Sequence, residues 1–280
     1  MAMAHQRFTI PGAARRAGPL PQLCIERPAT VLFSALAAAS FVFMAAPGID
    51  LAASRIFTDA AGAFHFDANP ALLALRDLNR LLLPLAVGLL LAILAMHAAR
   101  PEEGCSVPAH RVLFVLSVIA SSGGILVPLL KAVTGRARPD AVAPFGGEAP
   151  FSAAWQLSGA CARNCSFPSG EAASGASLLA LIALLPARAR VPALLVGVPF
   201  AMAVSLNRVA FGRHFLSDVV VAWLVTALAA LLLHRFFAAH GRRIDAGVRG
   251  SAQRVRRRAR RRVPRPEIAG LLFPRSPARL

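Results

Sequence analysis

The sequence lacks the marks of several common function classes. It has no glycine-rich nucleotide loop, no internal repeat and no His/Cys spacing of a metal site, and its seven His are scattered. These absences argue against a nucleotide-binding loop, a repeat fold and a bound zinc ion, so we expect no cofactor. Lysine is almost missing as well, since Lys131 is the single Lys beside 30 Arg. Either a coding bias left one Lys by chance, or a compact ammonium does something there that a guanidinium cannot.

Apolar residues are abundant and lie in long blocks. The 280 residues are 56% hydrophobic, with a mean hydropathy of +0.59. Crossing the hydrocarbon of a bilayer takes about 20 apolar residues, with a lower limit near 17. The sequence therefore predicts an all-α fold, a polytopic membrane bundle of six transmembrane helices. The predicted spans are residues 29–46, 81–99, 112–130, 169–185, 191–206 and 216–233.

Arginine predicts the orientation of these spans. Cytoplasmic loops carry an excess of Lys and Arg. Three segments meet that description: the N-terminal residues 1–28, the loop holding Arg188 and Arg190, and the C-terminal tail. We therefore expect both termini in the cytoplasm of a bacterium, a multi-pass inner-membrane protein, and three outer segments at 47–80, 131–168 and 207–215.

The C-terminal tail holds most of the net charge of +18. Residues 235–280 contain 14 Arg but only Asp245 and Glu267 as acids. Such a composition cannot form a core, so we expect a disordered cytoplasmic tail that lies on anionic lipid headgroups. Concentration of the charge in a tail makes nucleic-acid binding the weaker interpretation. The predicted organisation is an N-terminal segment 1–28, a membrane domain 29–234 and a tail 235–280.

Three short outer segments carry groups suited to phosphate chemistry. Lys131 and Arg138 lie in Lys-Ala-Val-Thr-Gly-Arg-Ala-Arg-Pro, and Arg208 opens the segment 208–218. Cations at a membrane boundary are costly unless they meet water or anions. Together they could hold a phosphate, with the Arg residues as bidentate donors. The alternative is that each cation merely extends to the membrane surface, as long basic side chains do.

The other groups of these segments fit the same chemistry. Ser169 is a good helix N-cap, Gly170 admits a ligand close to the backbone, and a helix N-terminus attracts anions. His214 and Asp218 are four residues apart. A carboxylate beside an imidazole orients it and supports its charge, which makes His a competent nucleophile. Alone, each feature is also common by chance.

The three segments resemble the signature of the type 2 phosphatidic acid phosphatase (PAP2) superfamily, which includes vanadium haloperoxidases. The family pattern reads Lys-x6-Arg-Pro, then Pro-Ser-Gly-His, then Ser-Arg-x5-His-x3-Asp. Here 131–139, 168–170 and 208–218 match it. Two positions depart from the pattern, because Glu171 replaces the usual His and Asn207 the usual Ser.

This resemblance implies a role for each matched residue. His214 would form a phosphohistidine and Asp218 would orient it, without a metal ion. Five residues would bind the phosphoryl oxygens: Lys131, Arg138, Ser169, Gly170 and Arg208. The missing His leaves the proton donor to the leaving oxygen open; Glu171 is the candidate acid, and capping of its helix is the alternative.

The outer loop before Ser169 resembles one subgroup of this superfamily in particular. The run from Cys161 to Glu171 looks like the bacterial subgroup of lipid A 4′-phosphatases, as do Pro47-Gly-Ile-Asp-Leu and Phe57-Thr-Asp. The expected function is a phosphatase acting on a phosphate monoester of a membrane phospholipid or glycolipid, with lipid A 4′-phosphate the first candidate. The alternatives are an undecaprenyl-diphosphate or phosphatidylglycerophosphate phosphatase, and a non-catalytic protein that binds phospholipid headgroups.

The four Cys divide between the two sides of the predicted membrane. Cys161 and Cys165 lie in an outer loop, an oxidising compartment, and we expect a disulfide between them. Cys24 and Cys105 lie in predicted cytoplasmic segments and should be free thiols.

Overall fold

The computed structural model describes residues 27–99 and 106–262, with side chains described up to residue 255. The described residues form helices and loops without a β-strand, which confirms the all-α prediction. The helices are α1 (Pro28–Ala45), α2 (Gly48–Arg55), α3 (Pro70–Ala99), α4 (Ala109–Ile119), α5 (Val127–Thr134), α6 (Gly170–Leu178), α7 (Ala187–Ala210) and α8 (Leu216–Arg262). A π-helical segment, Ala120–Leu126, joins α4 to α5, and the 3-10 helix Leu179–Leu184 continues α6.

Five helical segments are long and apolar enough to cross a membrane. They contain the predicted first, second, third, fifth and sixth spans. The fourth predicted span is shorter, because Gly170–Leu184 has only 15 helical residues. At the rise of α- and 3-10 helices it is about 25 Å long, less than the roughly 30 Å of hydrocarbon. Six full-length spans are therefore not confirmed.

The short α6 segment is surrounded by protein. It packs against α7, α8, α3 and α4. Small residues allow this close approach, since Ala172, Ala173 and Gly175 are buried at the contacts. Large apolar side chains are exposed on the outward surfaces of the longer helices instead, for example Phe41, Leu89 and Leu195. This distribution is typical of a bundle that faces lipid.

Helix α8 differs most from its predicted extent. The apolar stretch that begins at Leu216 was expected to end near residue 233, but the helix continues to Arg262. Phe237 and Ala252 are buried along the extension, and Asp245 binds His110 on α4. Arg and Ala are also strong helix formers. The expected disorder from residue 235 is therefore not seen up to 262, whereas the rest of the tail, residues 1–26, Cys24 and Cys105 lie outside the described residues.

Candidate active site

The three signature segments meet at one end of the bundle. Helices α5 and α7 end there, and α6 and α8 begin there. Lys131 lies in the last turn of α5, which stops at Gly135 with a left-handed φ of 55°. A Cβ at Gly135 would lie only 3.0 Å from the backbone N of Gly159. The helix thus ends where the loop carrying Arg138 turns back across the bundle.

A tight turn between α7 and α8 presents His214. Gly212 has φ +64°, and a Cβ there would lie within 2.4 Å of the Phe64 ring. Only glycine fits this position without displacing the ring. The backbone N–H of His214 donates to the Arg208 carbonyl at 3.2 Å. This turn therefore holds Arg208 and His214, the matched residues of the third segment, close together at the site end of the bundle.

His214 and Asp218 are both buried and face each other. Nδ1 of His214 lies 3.5 Å from Oδ2 of Asp218, a contact longer than a good hydrogen bond. Burial lowers the pKa of His214 to about 4, although the neighbouring Asp218 acts in the opposite direction. The imidazole is therefore neutral near pH 7, the state in which a ring nitrogen has a free lone pair for attack.

Asp218 is held by several donors at once. Oδ1 accepts from Nη1 of Arg136 at 2.7 Å, while Oδ2 accepts from the backbone N–H of Phe215 at 2.8 Å and from the Ser166 hydroxyl. The Arg136 guanidinium also lies 4.2 Å from the Phe215 ring centroid. The carboxylate that faces His214 is consequently fixed from both sides.

Asp50 on α2 completes this buried network. Nη2 of Arg136 donates to Asp50 Oδ2 at 2.8 Å, and Ser217 donates to Asp50 through its backbone N–H at 2.8 Å and its hydroxyl at 2.6 Å. Sequence reasoning missed both Arg136 and Asp50. Both lie in segments that carry the family resemblance, Arg136 between Lys131 and Arg138 and Asp50 in Pro47-Gly-Ile-Asp-Leu. Only their contacts in the folded protein reveal their role.

The predicted phosphate-binding cations surround the His214 turn. Lys131 donates to the carbonyls of Cys165 and, at 3.5 Å, of Ser166. Nε of Arg138 donates to the Asn164 carbonyl at 3.0 Å. Arg208 is 5% exposed, and its Nη1 has no partner among the described residues, while its Nε lies 3.1 Å from Oε2 of Glu171 without hydrogen-bond geometry. Buried polar groups are nearly always satisfied, so a further anion is the natural partner for Nη1 of Arg208.

The N-terminus of α6 is built as the sequence suggests. Ser169 is the N-cap, and its hydroxyl accepts the Ala172 N–H at 3.3 Å. The Ser169 N–H donates to the carbonyl of Asp218 at 3.0 Å, so this helix start is tied to the first turn of α8. Gly170 opens the helix, with its N–H at the positive end of the helix dipole.

Glu171 points toward two arginines. Oε1 lies 2.6 Å from Nη2 of Arg80 on α3, and Oε2 lies 3.1 Å from Nε of Arg208. Nε of Arg80 also donates to Oε1 at 3.1 Å. Sequence reasoning missed Arg80, because it lies 91 positions from Glu171 and outside every matched segment.

Cys161 and Cys165 are joined by a disulfide, with their Cα atoms 5.5 Å apart. The bond closes the loop that supplies the Asn164 and Cys165 carbonyls to Arg138 and Lys131. A link at this point restrains the backbone on which two of the cations rest.

Comparisons with known proteins identify a family for this chain. The model of the PAP2 superfamily matches residues 111–242. The chain is 35% identical to a lipid A 4′-phosphatase of Rhizobium leguminosarum over 211 residues, covering 68% of this chain and 89% of that protein. It is 34% identical to a lipid A 4′-phosphatase of Rhizobium etli, covering 68% and 80% respectively. A lipid A 1-phosphatase of Rhizobium johnstonii is 33% identical over 126 residues, covering 42% of this chain and 45% of that protein.

A crystal structure shares the fold. It is that of a transmembrane PAP2-type phosphatidylglycerolphosphate phosphatase from Bacillus subtilis, with a TM-score of 0.51 and 21% identity. The match covers 75% of this chain and 96% of that one. At this identity the likeness concerns the arrangement of the helices.

Proposed function

Because the chain belongs to the PAP2 superfamily, we propose that it hydrolyses a lipid phosphate monoester through a phosphohistidine at His214. The observation that carries this proposal is the buried His214–Asp218 pair beside Arg208, whose buried Nη1 has no partner among the described residues. A neutral nucleophile next to an unsatisfied cation suits attack on a bound phosphate. Positioning and charge stabilisation dominate such reactions.

The proposed reaction has two steps. Nε2 of His214 attacks phosphorus, the bond to the lipid oxygen breaks, and that oxygen takes a proton. Water then attacks the phosphohistidine, releasing inorganic phosphate and restoring the imidazole. Asp218 holds the ring and stabilises its positive charge, while Lys131, Arg138, Arg208, the Ser169 hydroxyl and the N–H group of Gly170 bind the phosphoryl oxygens.

Glu171 is the proposed proton donor to the leaving oxygen. In the free enzyme its carboxylate accepts from Arg80 and contacts Arg208. A bound phosphate would compete for these guanidinium groups and free the carboxyl group of Glu171 to act on the leaving oxygen. Glu171→Gln should then slow alkyl or sugar phosphates most and spare aryl phosphates, whose leaving group needs little protonation. Equal slowing of both classes would reduce Glu171 to a structural role.

The proposed substrate is the 4′-phosphate of lipid A. Support comes from the two Rhizobium relatives that carry that name and span most of this chain. Similarity to a lipid A 1-phosphatase makes the other phosphate of the same lipid the nearest alternative. The disaccharide thus offers two chemically similar phosphates, and the position of cleavage has to be measured.

We propose that the site faces the periplasm and that both termini are cytoplasmic. Arg188 and Arg190 lie in the first turn of α7, at the end opposite His214, as the positive-inside rule requires. A disulfide beside the site fits an oxidising compartment. An impermeant thiol reagent should label Cys161 and Cys165 in intact spheroplasts only after reduction.

Mass spectrometry of lipid A from cells with and without the gene tests this function. Lipid A from cells without the gene should retain one phosphate that the wild type removes, and fragmentation should place this phosphate on the 4′ carbon. Purified enzyme with EDTA, given lipid A, phosphatidylglycerophosphate and undecaprenyl diphosphate, should release most phosphate from lipid A. Unchanged lipid A together with preferred hydrolysis of another lipid would contradict the substrate assignment.

A further inference from the structure

Glu171 creates an electrostatic problem at the proposed phosphate site. Its Oε2 lies 3.1 Å from Nε of Arg208, the buried cation whose Nη1 has no partner among the described residues. A carboxylate this close to Arg208 uses part of the charge that would otherwise attract the substrate, and it repels a phosphate dianion. A site built to bind phosphate therefore needs a further cation to offset Glu171.

Arg80 is located where that cation is required. Its Nη2 and Nε contact Oε1 of Glu171 at 2.6 and 3.1 Å, opposite the oxygen that faces Arg208. The three groups form a chain from Arg80 through Glu171 to Arg208. The Glu171 side chain is only 17% exposed and that of Arg208 only 6%, so solvent screens their contact poorly.

The helix that carries Arg80 is fixed against the site. Nδ2 of the buried Asn79 donates to the Ser174 hydroxyl on α6 at 3.0 Å. Nδ2 of Asn207 donates to the Leu72 carbonyl on α3 at 2.7 Å. Both departures from the family pattern, Glu171 and Asn207, therefore make polar contacts with α3. These two bonds place Arg80 beside Glu171 with little freedom in the backbone.

An ordinary surface ion pair is the alternative explanation. Arg80 is 54% exposed, and pairs of exposed charges contribute little to stability. The partner of Arg80, however, is mostly buried and contacts a site cation. Arg76, one turn earlier on α3, shows the ordinary case, since its hydrogen-bonded partner is the exposed Asp77.

We propose that Arg80 is a positioning residue that neutralises Glu171, so that Arg208 keeps its full charge for the substrate phosphate. The inference rests on the proposed phosphatase function. It assigns a role in substrate binding to a helix that lies outside the matched region 111–242. It also explains how a carboxylate can occupy a phosphate site without repelling the substrate.

A double-mutant cycle on the purified full chain tests this role. Binding of inorganic phosphate is measured by calorimetry and as inhibition of lipid hydrolysis. Arg80→Gln should weaken phosphate binding about tenfold, because it exposes the site to an uncompensated carboxylate. The double variant R80Q/E171Q should return to within about threefold of the wild type, because both charges are then absent. Arg80→Lys should retain most of the affinity, and Arg76→Gln should retain all of it.

Two further readouts separate this role from a structural one. The weakening in Arg80→Gln should shrink as salt rises, since screening reduces repulsion. Its effect should fall mainly on KM rather than on kcat. A double variant as weak as Arg80→Gln, or a loss insensitive to salt, would overturn the inference. Wild-type protein that binds phosphate but hydrolyses no lipid would instead contradict the proposed function. In that case the double-mutant cycle, measured on phosphate affinity alone, would still decide the role of Arg80.

Discussion

The two ends of the helix bundle each hold a His–Asp pair, and the closer pair is not the one in the candidate active site. At the end opposite the site, His110 and Asp245 approach to 2.8 Å, whereas His214 and Asp218 are 3.5 Å apart. The difference lies in their surroundings. His110 and Asp245 are partly exposed, next to a cavity of about 370 Å³ lined by Arg111, Arg190 and His234.

His214 is buried, and its partner Asp218 is anchored by Arg136, Ser166 and the Phe215 N–H. Burial removes water from the imidazole, and the anchored carboxylate prevents the ring from turning away. The comparison shows that a short His–Asp distance alone does not mark a nucleophile. The burial of the pair and the cations around it matter more.

Removing each imidazole tests this comparison most directly. His214→Ala should lower kcat for lipid phosphate by at least about 10³-fold, as loss of a nucleophile does. His110→Ala should leave kcat within about twofold, because it removes only a partly exposed His–Asp contact at the end opposite the site. Phosphate release by the purified variants measures both effects. Substantial activity in His214→Ala, with normal membrane insertion, would refute the nucleophile assignment.

The cations at the two ends should differ in their tolerance of exchange. Lys131→Arg should lower kcat/KM about tenfold or more, because the larger guanidinium must fit where Nζ now meets the carbonyls of Cys165 and Ser166. Arg111→Lys, beside the open cavity, should be silent. Steady-state kinetics on both variants provides the measurement. Wild-type kinetics in Lys131→Arg would attribute the single Lys to coding bias.

The anchoring carboxylates should differ in their effect on stability. Asp50→Asn leaves Arg136 with one carboxylate partner in a fully buried network, and loss of a buried ion pair costs about 3 kcal/mol. Asp245→Asn should cost less than about 1 kcal/mol, because its pair is partly exposed. Thermal unfolding in detergent compares the two. Equal losses of stability would mean that the buried Asp50–Arg136 pair stabilises the fold no more than the partly exposed His110–Asp245 pair.

The pH dependence of activity gives a smaller but specific test. With its pKa lowered to about 4 by burial, His214 stays neutral until the pH falls well below the usual value of 6.5. The acidic limb of kcat/KM, corrected for the second ionisation of the phosphate near pH 6, should therefore lie below about pH 5. An acidic limb that remains near pH 6.5 after this correction would contradict a desolvated His214.

Much of the architecture could be predicted from the sequence. Long apolar blocks have few ways to satisfy their backbone in lipid other than helices, and the spacing within each signature segment is local. The ends of the helices were less predictable. Helix α8 continues past residue 233 because Phe237 and Asp245 pack against α4, and α6 can be short because protein rather than lipid surrounds it. Both are consequences of neighbours distant in the sequence.

The matched residues around the phosphate site were determined by the sequence itself, since their types and spacing identify them before any folding. The supporting residues were decided by the tertiary structure. Asp50 reaches Arg136 across 86 positions, and Arg80 reaches Glu171 across 91. No periodicity or motif encodes such contacts, because a buried or mostly buried charge is stabilised by whichever helix the fold places next to it. The sequence alone therefore identifies the catalytic candidates, while the packing of α2 and α3 decides which charges anchor Asp218 and offset Glu171.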